Sequence, residues 1–144
     1  MRNHIKITLF FLLIVTVISA CAKKATATPT SNAAIPNPAS VNCLDKGGKL
    51  EIQERADLGQ IGICVFDNNR QCDEWALWRG ECPVGGVDIS GYATQAAVFC
   101  VISGGEYAVT GNNGAVDEQG TCTFKNNKSC DAWDYYNGKC SPNE

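Results

Sequence analysis

Histidine is almost missing from this chain: it occurs once, at His4, and methionine occurs once, at Met1. Both lie in the opening stretch "MRNHIKITLFFLLIVTVISAC", which reads as a segment removed after export. What remains has no imidazole, which excludes a Ser-His-Asp triad, a Cys-His nucleophile pair and any zinc site with histidine ligands. Positive charge is also short. Removing the opening segment takes away Arg2 and Lys6 but no carboxylate, and the formal charge goes from -3 to -5. So acidic a surface is a poor partner for nucleic acid. Beyond residue 20 the longest apolar run is the seven residues 96–102, far short of a membrane span, so the chain lacks what a pore former needs to enter lipid.

The opening segment has a positive start at Arg2 and Lys6, then about a dozen apolar residues from Ile7 to Ile18. A helix that spans the hydrocarbon core needs about 20, so residues 1–20 fit a signal peptide. Its end, Ile18-Ser19-Ala20-Cys21, resembles the bacterial lipobox. That resemblance implies cleavage before Cys21 and lipidation of its thiol. Several acyl chains, at about 0.8 kcal/mol per buried CH₂, hold a protein firmly on a membrane. Ala22 rather than Asp after the cysteine implies the outer membrane in a cell that has two. Residues 21–36 are small and polar and read as a flexible tether with a span of about 20 Å. Lys23 and Lys24 lie beside the anchor.

The other eight cysteines form two quartets, Cys43, Cys64, Cys72, Cys82 and Cys100, Cys122, Cys130, Cys140, with spacings that differ by one inserted residue. Gly47-Gly48, Gly62, Phe66, Asn68-Asn69, Trp75 and Gly80 recur as Gly104-Gly105, Gly120, Phe124, Asn126-Asn127, Trp133 and Gly138. This is an internal duplication. It divides the mature chain into a first repeat domain, 37–83, a linker, 84–93, and a second repeat domain, 94–144. Four cysteines per unit in an exported chain read as two disulfides, whereas zinc thiolates would be spaced mostly as C-x2-4-C. Three pairings per unit are open. Units this small need such staples, because an apolar core alone is too little at this size.

The two copies predict an α+β fold: in each, a helix, a two-stranded antiparallel hairpin and a short second helix. Asn37 and Thr94 are placed to cap the first helix, from Pro38 to Lys46 and from Gln95 to Ser103, and Gly47 and Gly104 to stop it. "KLEIQE" and "EYAVTG" read as half-buried strands, followed by a variable loop that carries the inserted residue. "IGICVF" and "QGTCTF" form the second strand, with the Cys and Phe face inward. Asp67-Asn68-Asn69 and Lys125-Asn126-Asn127 are turn tips. Asp73 and Asp131 cap the last helix; Gly80 and Gly138 end it.

"NPASVNCLDKGGKLE", "GICVF" and "CDEWALWRGEC" together resemble the small bacterial domain known as domain of unknown function 333, carried by many lipoproteins and labelled haemolysin-like. The likeness covers most of residues 37 to 82 and, more weakly, 94 to 140. It implies pairing of Cys43 with Cys64, Cys72 with Cys82, Cys100 with Cys122 and Cys130 with Cys140. It implies an envelope location and no particular activity.

Asp73, Glu74, Asp131 and Asp134 are the candidate acids and bases of a glycosidase, which needs two carboxyls about 5 to 10 Å apart. Ala132 replaces Glu74 and Asp134 replaces Ala76, so capping is the better reading. Trp75 and Trp133 read as core aromatics. Trp78 with its counterpart Tyr136, and Leu77 with Tyr135, are candidates for a partner surface, and the Ile63 and Val65 face of the second strand is placed to pack on the second unit or on a partner. Arg70 and Lys128, near the turn tips, are candidates for a loop presented to a trypsin-like protease. The expectation is a non-catalytic module without metal or cofactor. It is held to the membrane by its lipid and binds an envelope protein or glycan, with protease inhibition as the alternative and haemolysis disfavoured.

Overall fold

The first quartet of cysteines closes around a short chain path, and a computed structural model shows how. It describes residues 37–55 and 58–142; the signal peptide, Cys21 and the tether lie outside them. Helix α1 (Pro38–Asp45) starts where Asn37 accepts a hydrogen bond from the Ala39 N–H, and Gly47 follows its end at a φ of 80°. Strands β1 (Lys49–Glu54), β2 (Gln60–Phe66) and β3 (Arg70–Asp73) form an antiparallel sheet, and β3 runs directly into α2 (Glu74–Arg79). Asp73 caps α2 through the Ala76 N–H, and Gly80 ends it in the left-handed conformation.

The linker is not idle: its β4 (Val87–Asp88) adds a fourth strand beside β3. The second repeat follows the same course through α3 (Gln95–Ile102), β5 (Glu106–Gly111), β6 (Gln119–Thr123), β7 (Ser129–Asp131) and α4 (Ala132–Tyr136). Each sheet therefore has a strand beyond the expected hairpin, because the residues after each Asn-Asn turn pair back before the last helix begins. Asn68, Asn69 and Asn127 take the positive φ expected of turn tips. The inserted residue is not in the loop. It is absorbed as a register shift between Val109 and Gly111 in β5, since a bulge takes one extra residue without altering the pairing on either side.

The four pairings implied by the family likeness are present: Cys43–Cys64, Cys72–Cys82, Cys100–Cys122 and Cys130–Cys140. Cys64 lies opposite Cys72 in the sheet, and Cys122 opposite Cys130, so the two cystines of each repeat are neighbours. Gly48 and Gly105 pass so close to the sulfurs that a Cβ would fall 2.3 Å and 2.5 Å from Cys64 Sγ and Cys122 Sγ.

The repeats pack against one another. The outer face of β2, led by Ile63 at 1% exposure, meets Phe99, Val101 and Ile102 of α3, with Ile61, Val65, Tyr135 and Tyr136 at the edges. Burying Ile63 contributes about 1.5–3 kcal/mol. Of the two covers expected for the Ile63 and Val65 face, the second repeat or a partner, it meets the second repeat. Arg55 reaches from the β1–β2 loop across the junction: its guanidinium lies 4.0 Å over Phe99 and 5.0 Å from the Tyr136 ring centre, and Nη2 donates to the Tyr135 carbonyl at 3.4 Å. Burial pushes its pKa down.

The contact is heterologous, the sheet of one repeat on the helices of the next, a geometry that propagates unless its ends are blocked. Both ends are. Where β2 has Ile61, Ile63 and Val65, β6 has Gln119, Thr121 and Thr123; where α3 has Phe99 and Ile102, α1 has Asn42 and Asp45. Among the described residues no helix is long and apolar enough to cross a membrane.

Two outcomes are expected. Arg55→Ala should lower stability by about 1–2 kcal/mol, the worth of a partly desolvated cation on aromatic rings, as a drop in thermal midpoint with the cystines intact. Replacing Gln119, Thr121 and Thr123 by Ile, Ile and Val together with Asn42→Phe and Asp45→Ile should produce concentration-dependent head-to-tail oligomers in sedimentation velocity. Either set alone should not, because one face of each new contact stays polar.

Candidate functional site

The last helix of each repeat carries the same aromatic pair. In α2, Trp75 and Trp78 meet edge to face at 5.8 Å; in α4, Trp133 and Tyr136 do so at 5.9 Å. Residues three apart on a helix are neighbours, which is why the pair survives the change of residue type. The surroundings differ. Trp133 donates from Nε1 to the Glu118 carbonyl at 3.0 Å; Tyr136 packs on Phe99 at 5.8 Å and its hydroxyl donates to Gln95 Oε1 at 3.0 Å. In the first repeat both rings face solvent, Trp75 at 40% and Trp78 at 52% exposure. The expected core role of Trp75 is therefore corrected: the cystines and Leu77 fill the interior, leaving no room for an indole.

Of the residues read as a partner surface, only Trp78 stands open. Leu77 is buried with the cystines of the first repeat, Ile63 is buried between the repeats, and Val65, Tyr135 and Tyr136 are half-buried along the same junction. Arg70 is not presented at a hairpin tip. It begins β3, and its guanidinium turns back to donate to the Gly85 carbonyl at 2.9 Å and to the Gly86 carbonyl. Lys128 lies exposed just before β7, its backbone N–H donating to Asn126 Oδ1 at 3.0 Å.

Three of the four candidate carboxylates, Glu74, Asp73 and Asp131, are committed to structure, and Asp134 is exposed. Glu74, nearly fully buried, accepts from Asn37 Nδ2 at 2.9 Å and Ser40 Oγ at 2.6 Å, tying α2 to the start of α1. It fits because Gly62 has no side chain, a Cβ there falling 2.3 Å from the Glu74 carboxyl carbon. Asp73 caps α2, and burial pushes its pKa up. Asp131 caps α4 through the Trp133 and Asp134 N–H groups. In the second repeat Gly120 makes room for the Tyr107 ring instead, and the Tyr107 hydroxyl donates to buried Glu118 at 3.0 Å. Glu118 also accepts from the Gly114 N–H at 2.6 Å. The recurrence of Gly62 as Gly120 signalled a close approach, but not that a carboxylate fills one copy and a phenol the other.

Between the repeats lies a cleft of about 490 Å³. Phe124 and Tyr135, edge to face at 4.8 Å, form its apolar wall, with Ser103 buried beside the Tyr135 phenol, whose pKa burial pushes up. Lys125 and Arg79 bring positive charge to the rim. Lys125 Nζ donates to the Gly80 and Glu81 carbonyls at 3.3 and 3.2 Å, while Arg79 pairs with Glu81 at 2.7 Å. Gly104 lets the walls close: it sits at a φ of 88°, and a Cβ would fall 2.8 Å from the Glu81 carbonyl oxygen. Among the described residues no three His, Cys, Asp or Glu side chains converge as a metal set. Of the residues read from sequence as candidates for a site, Tyr135 lines this cleft; Gly104, Phe124, Lys125 and Asn126, which also line it, were read as parts of the fold. Their convergence was hidden from a reading of single units because the cleft belongs to neither unit alone.

The family described as Domain of unknown function (DUF333) matches twice, over residues 34–81 and 91–139. The uncharacterized protein YoaF of Escherichia coli K12 is 45% identical over 49 residues, which cover 34% of this chain and 57% of YoaF. YoaF of Shigella flexneri matches to the same extent. The uncharacterized protein YdbJ of Escherichia coli K12 is 32% identical over 72 residues, covering 45% of this chain and 82% of YdbJ. The chain thus spans little more than half the length of YoaF. No solved structure matches.

The Tyr107 contacts have a pH signature. Desolvation and the Glu118 carboxylate push its phenol up to about 12, against an ordinary value of about 10. Between those values the unfolded chain has lost a proton that the folded chain keeps, so stability falls as pH rises through that window. Phenolate absorbance should show Tyr107 and Tyr135, of the four tyrosines, ionising after an exposed one, and Glu118→Gln should move only the Tyr107 step down.

Proposed function

This chain belongs to the DUF333 family, which it carries twice in tandem, and from that premise we propose that it is a lipid-anchored, non-catalytic binding module of the cell envelope. Acylated Cys21 holds it, in the outer membrane where the cell has two. The paired repeats bind an envelope protein or glycan in the cleft between them. The observation that carries the binding role is the cleft itself: an aromatic wall, a buried hydroxyl and two cations brought together only by the packing of one repeat on the other. Concave sites at such junctions, mostly apolar with a few convergent polar groups, are the usual form of a ligand pocket. The non-catalytic reading is supported by the carboxylates, since Glu74, Asp73 and Asp131 each spend their oxygens on the fold. Protease inhibition loses support at Arg70, whose donors are held by the linker.

Envelope pull-down with the full chain against Lys125→Glu tests the binding role. The variant reverses charge at the rim while leaving both cores untouched, and it should lose a component that the parent retains. Identical recoveries would remove the cleft from consideration. Acyl labelling and fractionation of Cys21→Ser test the anchor; the variant should take up no label and leave the membrane fraction.

A further inference from the structure

We propose that the exposed helical face of the first repeat docks on the lipid surface to which the chain is anchored. The face comprises Val41 and Leu44 of α1, 41% and 58% exposed, and the Trp75–Trp78 pair of α2. The two helices pack side by side, pinned by the bonds of Glu74 to Asn37 and Ser40. Four large apolar side chains thus stand open on adjoining helices. The counterpart in the second repeat shows that such a face is normally covered: Tyr136 lies under Arg55, and the α3 face lies under β2. Another repeat is a poor cover for the first face, since Asn42 and Asp45 replace Phe99 and Ile102 there. A second copy stacked head to tail, as the repeats are, would bring the polar Gln119, Thr121 and Thr123 face of β6.

What selects lipid is where the chain outside the structure ends. Residues 21–36 run from the lipidated cysteine to Asn37, the residue that caps α1. By composition this segment spans about 20 Å, so α1 is the first described element beyond the anchor. Indole rings with an apolar body and one polar N–H favour the level of the lipid headgroups. There the face would lie about 5–10 Å into the boundary between headgroups and acyl chains. The four residues carry no charge and the mature chain is acidic, so docking should be insensitive to salt. It orients the inter-repeat cleft relative to the membrane.

The proposal rests on the lipid anchor, and its test separates the two. Full-length lipidated chain is reconstituted into vesicles of phosphatidylethanolamine and phosphatidylglycerol, with or without brominated acyl chains, and floated on a density gradient. Trp133→Phe leaves the Trp75–Trp78 pair as the emitters, and Trp75→Phe with Trp78→Phe leaves only Trp133. Docking predicts that brominated lipid lowers the emission of the pair by roughly twofold or more, as expected for rings at the interface. Trp133, held by the Glu118 carbonyl, should barely change, and salt should not alter either result. Flotation with the pair quenched by aqueous iodide and not by brominated lipid would overturn docking and leave the anchor standing. A pair shielded from both quenchers would mean that a protein covers the face, and would also overturn it. Failure to float would remove the anchor, and docking with it.

Discussion

Each repeat is built around two adjacent cystines, and in the first repeat Leu77, Leu50 and Phe66 pack around them. Six of the seven largest fully buried side chains are half-cystines. Every other feature of the unit adjusts to them. Gly48 and Gly105 are bare so that the backbone can pass the sulfurs. The helices are short because the caps that start them, Asn37 and Asp73, lie close in the chain to the glycines that end them, Gly47 and Gly80, and the indole of Trp75 stands at the surface. A unit of this size buries too small a fraction of its surface to be stable on apolar contacts alone, so cross-links that restrict the unfolded chain, at about 3 kcal/mol each, carry much of the load.

A second constraint follows from the first. An interior filled with cystines leaves the outer face of the sheet as the natural place for further apolar burial, and duplication supplies the cover. Ile63 is the one large aliphatic side chain among those fully buried ones, and it is buried between the repeats rather than within its own. The same asymmetry explains the differences between the copies: α3 is apolar where it is covered, α1 is mixed where it is not, and β6 ends the stack with Gln119, Thr121 and Thr123. The cleft is a product of this stacking: Glu81 of one repeat meets Gly104 of the next. The tryptophan face stands open because, among the described residues, nothing covers α1 and α2 as β2 and Arg55 cover α3 and α4.

The elements were legible in the sequence where local chemistry decides them. Asn37, Thr94, Asp73 and Asp131 cap, Gly47, Gly80 and Gly104 terminate, and "KLEIQE" and "EYAVTG" become strands with the expected bounds. Those signals act over one turn or one pleat. The third strand of each sheet was missed because Arg70–Asp73 and Ser129–Asp131 are too short and polar to show a period, and they pair only because the turn before them delivers them to β2 and β6. Trp75 was misplaced because indole size argues for burial in a domain with room, and the cystines had taken the room.

By itself the sequence determined the duplication, the caps, the turns, the two quartets of cross-linkable cysteines and the restriction of histidine to His4, since each depends on residue identity or on spacing along the chain. Only the tertiary structure decided which face of β2 is covered, that Arg55 lies across Phe99 and Tyr136, that Gly62 serves a carboxylate where Gly120 serves a phenol, and that Tyr135, Ser103 and Lys125 share a cleft. These are meetings between residues far apart in the chain. Their partners are chosen by the shape left over once the local elements have packed, and that shape is a property of the two repeats together.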